Sequence, residues 1–146
     1  MRNQWKIYIE VAIAIICLFV GGAIYLLFRT RTLVMFRIMP AEMLNKLNII
    51  SLGTDIPNNK LTSFVVYNLP TCLWLVSYLL IMRLICCEMS KNQRLIWVYA
   101  LPVILLLIEF LQIYPSFPGT FDLIDVLTYI VPITISLLID KNYEKL

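Results

Sequence analysis

Four long, unbroken runs of apolar residues, separated by short polar stretches, dominate the chain: Ile7 to Phe28, Phe64 to Met82, Leu95 to Ile113 and Leu123 to Ile139. The hydrocarbon core of a bilayer, about 30 Å thick, takes about 20 residues of helix, so each run fits one crossing. The runs are continuous rather than alternating, and backbone amides in lipid have to bond within their own segment, so helices are expected and barrel strands are not. The pattern predicts an all-α fold, an integral membrane bundle of four transmembrane helices forming one domain over residues 1–146. Arg2 and Lys6 ahead of the first run, and Gly21, Gly22 and Ala23 within it, resemble a cleavable signal peptide. The apolar run continues to Phe28, beyond the roughly 7–15 residues of a signal core, and is read as a retained helix.

The connection after the first run has a helical pattern of its own. Pro40 suits a first helical turn; Met43, Leu44, Leu47 and Ile50 then share one face, with Glu42, Asn45, Lys46 and Asn48 opposite. A short amphipathic helix covering the outer mouth of the bundle is expected there, followed by a turn from Gly53 to Lys60.

Composition agrees and narrows the function. The chain is 61% hydrophobic and 14% charged, with a mean hydropathy of +0.85. A soluble domain is about 45–50% apolar and about 25% charged, so an ordinary soluble globule is excluded. The net charge of +3 is dispersed, so no nucleic-acid partner is expected and membrane lipids are. There is no His, the commonest metal ligand and general base, and no Cys-x-x-Cys pair. Neither a metal nor a cofactor is expected. Cys17 and Cys72 fall in apolar runs and Cys86 and Cys87 follow the second, as packing thiols rather than a disulfide framework.

Orientation follows from Lys and Arg in the short loops. With both termini in the cytoplasm, that side holds seven of them, Arg83, Lys91 and Arg94 included; the other side holds five, Arg29, Arg31, Arg37, Lys46 and Lys60. Trp5, Tyr8, Trp97 and Tyr99 then form the inner aromatic belt, with Tyr67 and Tyr114 near the outer surface. The location that follows is a membrane crossed several times, with both ends of the chain on one side.

Candidate chemistry lies where the last two runs meet. Glu109 and Gln112 are three residues apart, and so are Asp122 and Asp125, so each pair shares a helix face. Pro115, Pro118 and Gly119 between them turn the last helix back antiparallel, which brings Glu109 and Asp125 to similar depth, about one turn inside the outer boundary. Carboxylates in spans are expensive and normally face the bundle interior or water. Arg29, Arg31 and Arg37 are on the same side, and a guanidinium holds a carboxylate through two parallel hydrogen bonds. The expected site is therefore a polar pocket of Glu109, Gln112, Asp122 and Asp125 with one or more of these arginines. For Asp122 a structural role stands beside this one: with Thr120 as the N-cap of the last helix, Asp122 falls at N2, where the macrodipole favours a carboxylate. Glu10, in the first run, is read as a boundary residue.

The order Glu109-x-x-Gln112, a Pro/Gly turn, and Asp122-x-x-Asp125-Val126-Leu127 resembles the VanZ-like family of small bacterial multi-pass membrane proteins. The likeness is close over residues 109–127 and otherwise extends to the four-helix plan. The family pattern usually carries Arg three before the first Asp, Asn four after the second and Gly seven after it; here those positions hold Gly119, Tyr129 and Pro132. Arg29, Arg31 or Arg37 can supply the missing cation. The resemblance implies a cell-envelope protein and a link with glycopeptide antibiotic resistance, since the founding member is tied to teicoplanin resistance; no defined reaction comes with it.

Four functions are compatible with these residues. One is an envelope protein whose outward pocket binds a lipid head group or cell-wall precursor, with Arg on a phosphate. A structural subunit of a larger membrane complex would use Ala14, Gly21 and Gly22 for close helix contacts. A lipid-modifying enzyme would use Glu109 or Asp125 as general acid or base, although no Gly-x-Ser-x-Gly or His-Glu-x-x-His motif is present. A transporter would call for a polar residue at mid-membrane, which these runs lack. Catalysis is left open.

Overall fold

The computed structural model of the protein describes residues 4–28, 40, 42 and 59–143. The expected amphipathic helix over Met43 to Ile50 and the three arginines Arg29, Arg31 and Arg37 lie outside the described residues. Those described form helices and turns, with no strand among them.

The helices are α1 (Gln4–Phe28), α2 (Lys60–Glu88), α3 (Lys91–Leu111) and α4 (Leu123–Tyr143), each long and apolar enough to cross a membrane. Most overrun their apolar sequences because polar residues finish their ends. Asn59 starts α2, its side-chain oxygen accepting from the Thr62 amide at 2.7 Å. Ser90 and Gln93 form a capping box that starts α3 a turn before the predicted Leu95. α2 contains a π-helical stretch, Phe64–Asn68, just ahead of Pro70. Pro70 has no amide to give the carbonyl four residues back, and the Leu69 amide bonds Phe64, five back. That wider turn carries Asn68 to a buried position.

α2 is the hub. α1 packs along it, and α3 and α4 pack on it and on each other. Ala14 is fully buried in the α1–α2 contact region, and a Cβ on Gly21 would lie 2.8 Å from the Trp74 Nε1 and 3.1 Å from the Pro70 carbonyl. Trp74 donates to the Leu18 carbonyl at 3.3 Å and packs at a tilt of 42° against Tyr25, with ring centroids 5.2 Å apart. Ala14 and Gly21, expected to serve a partner subunit, are thus used within the chain. Leu75, Leu79, Cys86, Val98 and Tyr129 form the shared core of α2, α3 and α4. The outward apolar residues, such as Ile16 at 60% and Phe19 at 72% exposure, present the all-round hydrophobic surface that lipid requires.

α2 and α4 run parallel and are pinned at both ends by residues 57 positions apart: Asn68 to Asp125, and Arg83 to Asp140. Arg83 Nη2 lies 2.8 Å from Asp140 Oδ1, with 6% and 18% of the two side chains exposed. Tyr99 of α3 donates to Asp140 Oδ2 at 2.9 Å and lies 3.0 Å from Ser136 Oγ. This corrects two expectations: Arg83 is a buried ion-pair partner rather than a loop charge, and Tyr99 faces the bundle rather than the belt. In both cases Asp140, beyond the predicted end of the last helix, supplies the polar contact.

Candidate functional site

The chain turns between α3 and α4 within eleven residues. The Gln112 amide bonds the carbonyls of Ile108 and Glu109, Tyr114 bonds Leu111, and Phe117 bonds Tyr114, so the helix unwinds by short hydrogen-bonded turns. Gly119 has φ +120, which favours glycine, and a Cβ there would also stand 2.6 Å from the flexible Gln112 side chain. Phe110 and Phe121 stack across the turn with centroids 6.3 Å apart.

α4 begins at Leu123, so Asp122 rather than Thr120 is its N-cap. Asp122 Oδ1 accepts from the Ile124 amide at 2.9 Å and its carbonyl accepts from Val126. Asp122 wins because its side chain meets the N2 amide from the residue directly before the helix, whereas Thr120 lies two positions further out. The Asp122 amide in turn donates to Glu109 Oε1 at 2.9 Å. A carboxylate on α3 thus fixes the start of α4.

The structure brings Glu109, Gln112, Asp122 and Asp125 around one open cavity of about 820 Å³. α2 closes it from the other side with Tyr67, Asn68 and Thr71, and Asn59 and Lys60 line it at the start of that helix. Asn68 Nδ2 donates to Asp125 Oδ1, and Thr128 donates to the Asp125 carbonyl at 2.7 Å. Glu109 is 4% exposed and, among the described residues, receives one donor, the Asp122 amide. Among the described residues neither Glu109 nor Asp122 has a cation at ion-pair distance, and Lys60 is a cation on the lining. A buried carboxylate with one donor retains lone pairs for more, and leaving them unused is costly at this depth. The wall can therefore accept hydrogen bonds from hydroxyl or ammonium groups, with Lys60 available to an anion. Among the described residues no three acidic or Cys side chains stand close enough together to hold a metal ion.

Asn68, Tyr129 and Lys60 are lining residues that the sequence reading did not assign to the site. Asn68 carried a signal, being an amide inside an apolar run two residues before a proline; its partner, 57 positions away, is a tertiary fact. Arg29, Arg31 and Arg37 lie outside the described residues. The chain matches no protein-family model, no curated protein and no solved structure. Its four long apolar helices make it a possible small multi-pass membrane protein.

Proposed function

We propose that the protein is a VanZ-like envelope protein of a bacterial inner membrane, with both termini cytoplasmic. In this reading the cavity between α2, α3 and α4 opens outward and binds the head group of a membrane lipid or a lipid-linked cell-wall precursor. One observation carries the reading: Glu109, nearly inaccessible and with a single hydrogen-bond donor among the described residues, lines with Asp122 and Asp125 a polar cavity of about 820 Å³ at the end of a membrane-length bundle. The shared ligand chemistry is a phosphate carrying hydroxyl or amine groups. The carboxylates take the hydroxyl or amine hydrogens; Lys60 and one or more of Arg29, Arg31 and Arg37 take the phosphate. The departures from the VanZ-like pattern fit this arrangement. Position 119 has φ +120, which an arginine rarely adopts, so the cation comes from elsewhere, and an Asn amide reaches Asp125 from position 68 rather than 129.

Native mass spectrometry of the detergent-purified protein tests this, with phosphatidylethanolamine and a polyprenyl-linked cell-wall precursor as probes. A hydrogen bond to a charged group contributes about 1.5–3 kcal/mol, so Glu109→Gln and Asp125→Asn should each weaken binding of the preferred probe by about tenfold or more. Unchanged binding in both variants refutes the reading, and the preferred probe distinguishes the two ligand sources.

A further inference from the structure

Further along the same two helices from the polar cavity lies a second one of a different kind, a groove open on one side. It has a volume of about 260 Å³ and lies between Cys72, Val76 and Leu80 of α2 and Val131, Pro132 and Ile135 of α4, reaching Arg83 and Ser136 at its far end. The cavities follow each other along both helices: Thr71 lines the first and Cys72 the second, and on α4 Tyr129 lines the first and Val131 the second, with one residue between them. Water gains nothing by filling an apolar groove of this kind, because it finds no hydrogen-bond partners there. The helices cannot close this fissure by approaching, since Asn68–Asp125 and Arg83–Asp140 fix their separation at both ends.

We propose that the α2–α4 seam binds one lipid lengthwise, its head group in the polar cavity and one hydrocarbon chain in the apolar fissure. This rests on the reading of the polar cavity as a head-group site and adds that the ligand is recognised by its chain as well. From Asn68 to Arg83 is 15 residues, about 22 Å of helix, most of the hydrocarbon thickness of about 30 Å. The bound chain therefore passes the mid-plane, and short chains leave the fissure partly empty. The Arg83–Asp140–Tyr99 network closes its end.

The test compares three forms of one head group on the purified full-length protein in detergent: glycerophosphoethanolamine, dihexanoyl-phosphatidylethanolamine and dioleoyl-phosphatidylethanolamine. Wild-type protein is expected to bind the dioleoyl form at least tenfold more tightly than the dihexanoyl form. Val76→Phe and, independently, Ile135→Phe, which fill the fissure, are expected to reduce that ratio to within twofold of unity while binding of glycerophosphoethanolamine is unchanged. Equal binding of both chain lengths by wild type, or a full chain-length preference in a folded fissure variant, overturns the proposal and leaves the head-group site standing. Failure of all three forms to bind overturns both.

Discussion

Two adjacent glycines in α1 should respond to the same substitution with opposite signs. A Cβ at Gly21 would lie 2.8 Å from Trp74 Nε1, 2.9 Å from Trp74 Cδ1 and 3.1 Å from the Pro70 carbonyl, whereas one at Gly22 meets nothing within 4 Å. The Pro70 carbonyl belongs to helix backbone and cannot step aside. The Trp74 ring can turn away only by giving up its bond to Leu18 and its contact with Tyr25. Overpacking costs about 1–3 kcal/mol and the lost hydrogen bond about 1. The better helix propensity of alanine returns about 1 kcal/mol. Gly21→Ala should therefore destabilise by about 1–3 kcal/mol, while Gly22→Ala, with only the propensity gain, should stabilise by up to about 1 kcal/mol. Unfolding of purified protein by sodium dodecyl sulfate in mixed micelles, followed by circular dichroism, measures both. Equal shifts for the two variants, or a neutral Gly21→Ala, would show that α1 does not rest on α2 at Trp74.

Two further predictions follow from the polar contacts at the ends of α4. Breaking a buried ion pair from one side costs about 3–5 kcal/mol because the other charge stays buried, so Arg83→Met and Asp140→Leu should each destabilise by about 3 kcal/mol, and the double variant by clearly less than their sum; additive losses in the same assay would deny the pair. Asp122→Ala should lose about 1 kcal/mol of capping and Thr120→Ala less than half of that; the reverse order would return the N-cap to Thr120.

The apolar runs disclosed the helices because the bilayer fixes how long each must be, a constraint that acts on local sequence alone. Helix ends were harder to read: Asn59, Ser90 with Gln93, and Asp122 lie outside the apolar runs, and capping is decided by side-chain geometry rather than hydropathy. Glu109, Gln112, Asp122 and Asp125 could be grouped from sequence because a short turn leaves two helices little choice but to lie antiparallel. The contribution of α2 could not be read in this way. Asn68 meets Asp125 and Arg83 meets Asp140 across 57 residues, and that register depends on the π-helical stretch before Pro70 and on the packing of two parallel helices that are not neighbours in sequence. Arg83 illustrates the consequence. Counted as a loop charge it supports an orientation, yet its guanidinium is buried against a carboxylate supplied by the last helix.

The account depends on the acids of α3 and α4 lining a cavity that water enters from outside the cell. Cysteine accessibility tests this most directly. In a background with Cys17, Cys72, Cys86 and Cys87 replaced, Asp122→Cys, Asp125→Cys and the outward-facing Ile130→Cys would be exposed on intact cells to a membrane-impermeant maleimide. Labelling at 122 and 125 with none at 130 is the predicted result. Labelling at 122 and 125 only after permeabilisation would reverse the proposed orientation, and a cysteine at 125 as unreactive as one at 130 under both conditions would contradict the cavity itself.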